Sequence, residues 1–108
     1  MILLSIPIFS QVYVKGSDIS QLDIKYCEIT IKGKGLGFSG KVRAMADYGQ
    51  DRKLLSDNYI TDGNGKDIDF DGLIAVINFM YKNGWEIKEF FTLSEGDKLV
   101  YHYLFSKK

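Results

Sequence analysis

The sequence has few of the residues that usually build disulfides, metal centres and nucleophilic active sites. It contains one cysteine, Cys27, and one histidine, His102. A single cysteine cannot form a disulfide within the chain, and a structural zinc site needs about four cysteine or histidine ligands. One chain could therefore build such a site only with carboxylates or with a second copy, and we expect neither a metal nor a cofactor.

The sequence also lacks a surplus of positive charge and a long apolar run. Its 14 lysines and arginines are balanced by 14 aspartates and glutamates, so the formal net charge is zero. Proteins that bind nucleic acids usually carry a basic surplus that neutralises phosphates. The apolar segment at residues 2–9 is shorter than the roughly 20 residues that a membrane-spanning helix needs. We therefore expect no nucleic-acid partner and no membrane span.

The remaining composition is that of one folded domain. The chain has 108 residues, of which 45% are hydrophobic and 26% charged. Disordered proteins combine low hydrophobicity with high net charge, and this sequence has neither property. Its length matches one domain. We assign that domain to residues 11–108.

Residues 1–10 allow two interpretations. An apolar stretch that ends in Ser10 resembles the hydrophobic region and cleavage site of a secretory signal, although no Lys or Arg precedes it. The same residues could instead form a first edge strand that bends at Pro7, the only proline. We favour the signal remnant, which would place the protein in the periplasm or at the outer surface. The edge-strand interpretation fits a cytoplasmic protein.

One helix is predicted near the middle of the second half of the chain. A single apolar stripe at helical spacing is formed by Leu73, Val76, Ile77, Met80 and Tyr81. The pattern predicts a helix over about residues 70–83. Asp69 or Asp71 is expected to cap its start, and Gly84 supplies a residue that can adopt a left-handed conformation at its end.

Most of the remaining chain has the alternation that is typical of strands. We predict strands at residues 11–14, 22–32 and 41–48. Two further pairs of strands are expected to form hairpins around residues 62–65 and 94–97, which contain Asp-Gly, Asn-Gly and Glu-Gly-Asp. The predicted fold class is α+β: an antiparallel β-sheet of about four to six strands with one α-helix packed on one face.

A glycine-rich loop gives one functional hypothesis, a binder of phosphate or another small ligand. Gly35, Gly37, Gly40 and Lys41 match part of the spacing of phosphate-binding loops. The next residue is Val42, where such loops place Ser or Thr to hold magnesium. A strand is predicted after the loop, whereas a phosphate loop opens a helix whose N-terminus binds the anion.

A second hypothesis is an enzyme in which Cys27 and His102 act as nucleophile and base. Each residue lies inside a predicted strand between apolar neighbours. A buried structural cysteine and a half-exposed strand histidine are commoner outcomes of such positions. The sequence therefore favours a non-enzymatic protein.

The leading hypothesis is a small non-enzymatic binding or protein-interaction module. Candidate binding residues fall in a polar corner after a strand, and in the aromatic residues of the last hairpin; they are Tyr48, Gln50, Asp51, Phe90, Tyr101 and Tyr103. Phe90 and Phe91 are adjacent, so a strand points them to opposite faces and leaves one of them outside the helix-covered core. The expected partner is another protein, or a second copy in a homodimer.

The C-terminal half contains a distinctive unit, formed by residues 70–86, with the predicted helix and Gly-Trp-Glu, and by residues 101–108. In this unit, and also in residues 47–50 and 62–66, the chain resembles a family of small uncharacterised proteins of Bacteroidetes bacteria. The resemblance implies an α+β fold with a helix–Gly-Trp-Glu–β-hairpin unit and an exported protein. It implies no established activity, and it assigns no functional residue to this chain.

Overall fold

The computed structural model describes residues 11–34, 40–51, 58–96 and 98–108. In this part of the chain the strands and helices are, in order, β1 (Tyr13–Val14), β2 (Ser17–Asp18), a short 3₁₀ helix (Ile19–Gln21), β3 (Tyr26–Lys34), β4 (Met45–Asp47), β5 (Ile60–Thr61), α1 (Leu73–Lys82), β6 (Trp85–Glu95) and β7 (Lys98–Lys107). The predictions for residues 1–10, Gly35 and Gly37 lie outside the described residues.

The strands form two antiparallel sheets, of order β2-β1-β5 and β4-β3-β7-β6. Residues 58–60 connect the two sheets and lie along the edge of β4 that points away from β3. There the Ala46 N–H donates to the carbonyl of Asn58 and the Ile60 N–H to that of Ala44, each at 2.8 Å. The α+β prediction with a helix packed against an antiparallel sheet is thus confirmed, and a second, three-stranded sheet accompanies the expected one.

The core lies on one face of the larger sheet, which we call the inner face. Alternate residues of β3 and β7 stand opposite one another: Cys27 faces Phe105, Ile29 faces Tyr103, and Ile31 faces Tyr101. These side chains pack with the small sheet and with Val76 and Met80 of α1, both fully buried. Leu99, Tyr101, Tyr103 and Phe105 of β7 therefore share this inner face.

The junction between α1 and β6 is fixed by a buried tryptophan. Gly84 follows the helix with φ 91°, the left-handed conformation that glycine adopts easily, and the chain then enters β6 at Trp85. The Trp85 side chain is fully buried, and its Nε1–H donates to Ser20 Oγ at 3.0 Å. This contact connects the 3₁₀ helix to the start of β6.

The helix starts later than predicted, and its expected acidic cap is wrong. Phe70 is held extended because its N–H and carbonyl both bond to Val42 at 2.8 Å. The N-cap is therefore Gly72, with φ 127° and no side-chain capping bond. Asp69 and Asp71 do not cap α1, since they pair instead with Arg43 and Lys41.

Three predicted strands are also shorter in the structure, and the one expected over residues 11–14 is reduced to Tyr13–Val14. The strand expected over residues 22–32 begins only at Tyr26 and extends to Lys34. The strand expected over 41–48 is reduced to Met45–Asp47, although its alternation is confirmed because Val42, Ala44 and Ala46 are all buried. The turn at 62–65 is present, and Asp62 Oδ1 accepts bonds from the N–H groups of Asn64 and Lys66 at 2.8 and 3.0 Å.

The helix content is small. α1 has ten residues, and within the ranges that the structure describes there is no helix with the length and apolar character needed to cross a membrane.

Replacing Trp85 by phenylalanine should lower the free energy of unfolding by about 2 kcal/mol, because the change removes both the bond to Ser20 and part of a buried ring. Urea unfolding followed by circular dichroism measures this change. Ser20→Ala is the matched control, since it removes the same bond and leaves the indole in place, and its effect should be smaller. Equal midpoints for wild type and Trp85→Phe would contradict a central role for this contact.

Candidate protein-interaction surface

The β6–β7 hairpin extends past the core. Trp85 is buried and Glu86 half-buried, whereas every residue of β6 from Ile87 to Glu95 is exposed. The pairing with β7 shifts between Ile87 and Glu89, so Lys88 is the extra residue of a bulge. Beyond the bulge, β6 alternates regularly from Glu89 to Glu95, so its side chains point to the two faces in turn.

Four large apolar side chains of β6 are in contact with solvent: Ile87, Phe90, Phe91 and Leu93, with exposed fractions of 38, 67, 47 and 51%. Single exposed apolar residues are common, but several large ones on one exposed strand indicate an interaction site. The hairpin is therefore the strongest candidate surface in the described part of the chain.

On the inner face, the predicted aromatic group is brought together. Phe90 stands opposite Tyr103, with ring centroids 6.2 Å apart, and Thr92 stands opposite Tyr101. Tyr103 is only 5% exposed, and burial, with a smaller contribution from Tyr101, raises the pKa of its phenol. Tyr103 therefore belongs to the core, and Phe90 provides the accessible surface of this group.

On the other face, which we call the outer face, a second aromatic residue is held in place. The Phe91 ring stacks on the imidazole of His102 with 4.7 Å between centroids and 4° between planes. His102 Nδ1 lies 3.0 Å from Glu28 Oε1, which fixes the orientation of the imidazole. Leu93 stands next along the face, opposite Val100, which is 2% exposed.

The sequence placed either Phe90 or Phe91 outside the helix-covered core, but Phe91 and Leu93 were not among the candidate binding residues. The signal that could have found them is the alternation Glu89, Phe91, Leu93, Glu95, in which two apolar residues lie between two acids on one face of a strand. Recognising it as a surface requires knowing that β6 is the outermost strand of its sheet, and this depends on contacts between distant parts of the chain.

The predicted polar corner lies at the opposite edge of the large sheet. Tyr48, Gln50 and Asp51 follow β4, three strand spacings or roughly 14 Å from β6. Gln50 uses its side chain on its own turn, because Oε1 accepts from the Tyr48 N–H at 2.8 Å and Nε2 donates to the Ala46 carbonyl at 2.9 Å. The structure therefore does not join this corner to the aromatic hairpin.

The basic residues at the end of the glycine loop, Lys41 and Arg43, are both paired with carboxylates. Lys41 Nζ is paired with the carboxylate of Asp71, and this hydrogen bond raises the pKa of the lysine. Arg43 contacts Asp69 at 2.8 Å and Asp67 at 3.2 Å, and its bond to Asp69 holds the pKa of that carboxyl below its usual value.

These ion pairs weaken the support for a phosphate site. A cavity of about 160 Å³ beside them is lined by Thr30, Lys32, Lys41, Val42, Arg43, Met45 and Tyr59. Two of its three cations are already paired with carboxylates. The chain after Gly40 is extended into β4 and gives no helix N-terminus at which an anion could bind.

Cys27 and His102 lie on opposite faces of the sheet. Cys27 stands opposite Phe105 on the inner face, and His102 stands three residues before Phe105, so its side chain points the other way. The thiol is 2% exposed, and burial together with the nearby Asp47 raises its pKa to about 12. The arrangement required for a nucleophile and its base is thus absent from this pair.

The described residues give no support for a metal-binding site either. Across the residues that the structure describes, no three His, Cys, Asp or Glu side chains are placed to hold one metal ion together. Glu28 and His102 are adjacent, but they form only a pair.

Comparisons with known proteins add no assignment. No family model, no curated protein and no solved structure matches the chain. The candidate surface therefore rests on the geometry of the hairpin.

The native thiol of Cys27 should be unreactive. At pH 8 a thiol reagent should modify the folded protein far more slowly than the urea-unfolded protein, because the buried thiol remains protonated. The same pKa shift predicts that the contribution of Cys27 to stability is constant below about pH 9 and falls above it, where the unfolded state loses a proton that the native state keeps up to about pH 12. Rapid native labelling would contradict the burial of Cys27.

Proposed function

We propose that this chain is a small, non-enzymatic protein-interaction module that binds its partner with the β6–β7 hairpin. One observation carries the proposal: from Ile87 to Glu95 the strand is exposed, and it presents Phe90 on one face and Phe91 and Leu93 on the other. Both faces of the hairpin could thus lie against a partner.

The energetics support this assignment. Complete burial of one such side chain stabilises a complex by roughly 1.5–3 kcal/mol. Aromatic residues contribute disproportionately to protein interfaces. Phe91 is already held by its stack on His102, so little conformational freedom remains to be lost there on binding.

We also propose that the module acts outside the cytoplasm. The support is the apolar segment at residues 2–9, with its signal-like end, and the resemblance of the C-terminal half to exported Bacteroidetes proteins. Both remain predictions from the sequence.

Replacing Phe90 by serine should reduce partner binding at least tenfold, while the free energy of unfolding changes by only about 0.5 kcal/mol. The small effect on stability follows because the side chain is 67% exposed. Proteins retained from a lysate of the source organism by immobilised wild type, but not by Phe90→Ser, identify the partner, and titration calorimetry then gives the affinities.

Ile74→Ser is the matched control, since Ile74 is also 67% exposed but lies on α1. It should retain the same proteins as the wild type. Equal retention by the Phe90→Ser and wild-type chains would contradict the use of the hairpin as the binding surface.

A further inference from the structure

β6 offers one long edge to which a further strand could be added. It is the outermost strand of the order β4-β3-β7-β6. The opposite edge of this sheet is occupied, because residues 58–60 bond to the edge of β4 that points away from β3. No described strand pairs with the edge of β6 that points away from β7. Such an edge carries main-chain donors and acceptors that can pair with an extended segment.

The outer face of this edge has a defined chemical order. Glu89, Phe91, Leu93 and Glu95 lie on it in sequence, opposite Leu104, His102, Val100 and Lys98 of β7. All four side chains of β6 are exposed. A strand added beside them would therefore meet an acid, two apolar groups and a second acid at alternate positions.

The two apolar positions form a rigid platform. Phe91 is stacked on His102, which is bonded to Glu28, and Leu93 stands opposite the buried Val100. Because these contacts exist before binding, an added side chain can pack on them with little rearrangement.

The same pattern disfavours a second copy of the chain. In an antiparallel two-fold pairing of two β6 strands, the register that places Phe91 against Leu93 is centred on Thr92. That register also places Glu89 directly against Glu95, at two symmetric positions. Like charges directly opposite each other destabilise a strand pair.

Moving the centre of the two-fold to Phe91 does not solve the problem. Phe91 then meets Phe91 of the other copy, but Leu93 stands opposite Glu89 and the second apolar pair is lost. Neither register satisfies the charged and the apolar positions together, so the pattern points to a different chain.

We propose that β6 accepts, as an added antiparallel strand, an extended segment of another protein with the alternation basic–apolar–apolar–basic. Its two basic residues face Glu95 and Glu89, and its two apolar residues face Leu93 and Phe91. This inference rests on the proposed function, because it specifies the partner of the same hairpin.

A direct test uses two blocked peptides with the sequences KTITVTK and ETITVTE, titrated to millimolar concentration into the ¹⁵N-labelled chain. The basic peptide should shift the amide resonances of Glu89 to Glu95 and bind roughly fivefold or more tightly than the acidic one, since cross-strand charges change from attraction to repulsion. A basic peptide with proline at its centre should bind more weakly, because it lacks a main-chain donor.

Two variants separate the charge effect from the effect on folding. Glu89→Lys lies at an exposed position and should remove most of the preference for the basic peptide. Asp23→Lys changes the charge by the same amount at an exposed site outside the strands and should preserve that preference. Circular dichroism spectra identical to wild type show that both variants are folded.

Each alternative result overturns the proposal. Failure of the basic peptide to shift the β6 resonances, or equal affinity of the two peptides, rejects the stated partner segment. A dimer in analytical ultracentrifugation that is lost in Phe91→Ser shows that the occupant is a second copy. The proposed function as an interaction module is still supported after any of these results if the Phe90→Ser chain fails to retain a partner that the Ile74→Ser chain retains.

Discussion

The pairing of β3 with β7 is the constraint on which the rest of the structure depends. Nine residues of each strand stand opposite one another without a break, from the pair Tyr26 and Ser106 to the pair Lys34 and Lys98. Because strand side chains alternate, this one register sends Cys27 to the core and His102 to the outer face. It separates the two residues that could have formed a catalytic pair. Through β7, the register also decides that Phe90 lies on the inner face and Phe91 on the outer one.

Ion pairs and main-chain bonds lie together beside the edge of the large sheet that is covered. Lys41 and Arg43 lie beside Asp67, Asp69 and Asp71, and the main chain of Val42 bonds to Phe70 between them. These exposed pairs each contribute little to stability, because solvent screens them. Their importance is positional, because they help to align the segment before β4 with the one before α1. Residues 58–60 occupy the adjacent side of β4, so the long free edge in the described ranges is that of β6.

The local patterns in the sequence predicted the presence of the helix and strands better than the residues at which they begin and end. The stripe of Val76 and Met80 predicted the helix, and alternation predicted strands in the regions of β3 and β7, because both signals involve residues close in sequence. The helix start was wrong since Phe70 is held by Val42, a residue far away in the chain. The candidate site was predicted in part, because its aromatic residues are visible in the sequence. The openness of β6 was not predictable, since strand order depends on pairings between distant segments.

An exposed apolar edge strand would ordinarily promote aggregation, and the features of β6 that oppose self-pairing also explain how it could select a partner. The bulge at Lys88 interrupts the regular edge on one side, and Glu89 and Glu95 enclose the two apolar residues of the outer face. Against an identical strand these acids repel in the register that best matches Phe91 to Leu93. Against a strand with cations at the same positions, these acids attract. The difference in affinity between such a strand and a second copy therefore arises from both the attraction to the one and the repulsion of the other. One arrangement of charges would therefore both disfavour pairing between free chains and favour the chemically complementary segment that we propose.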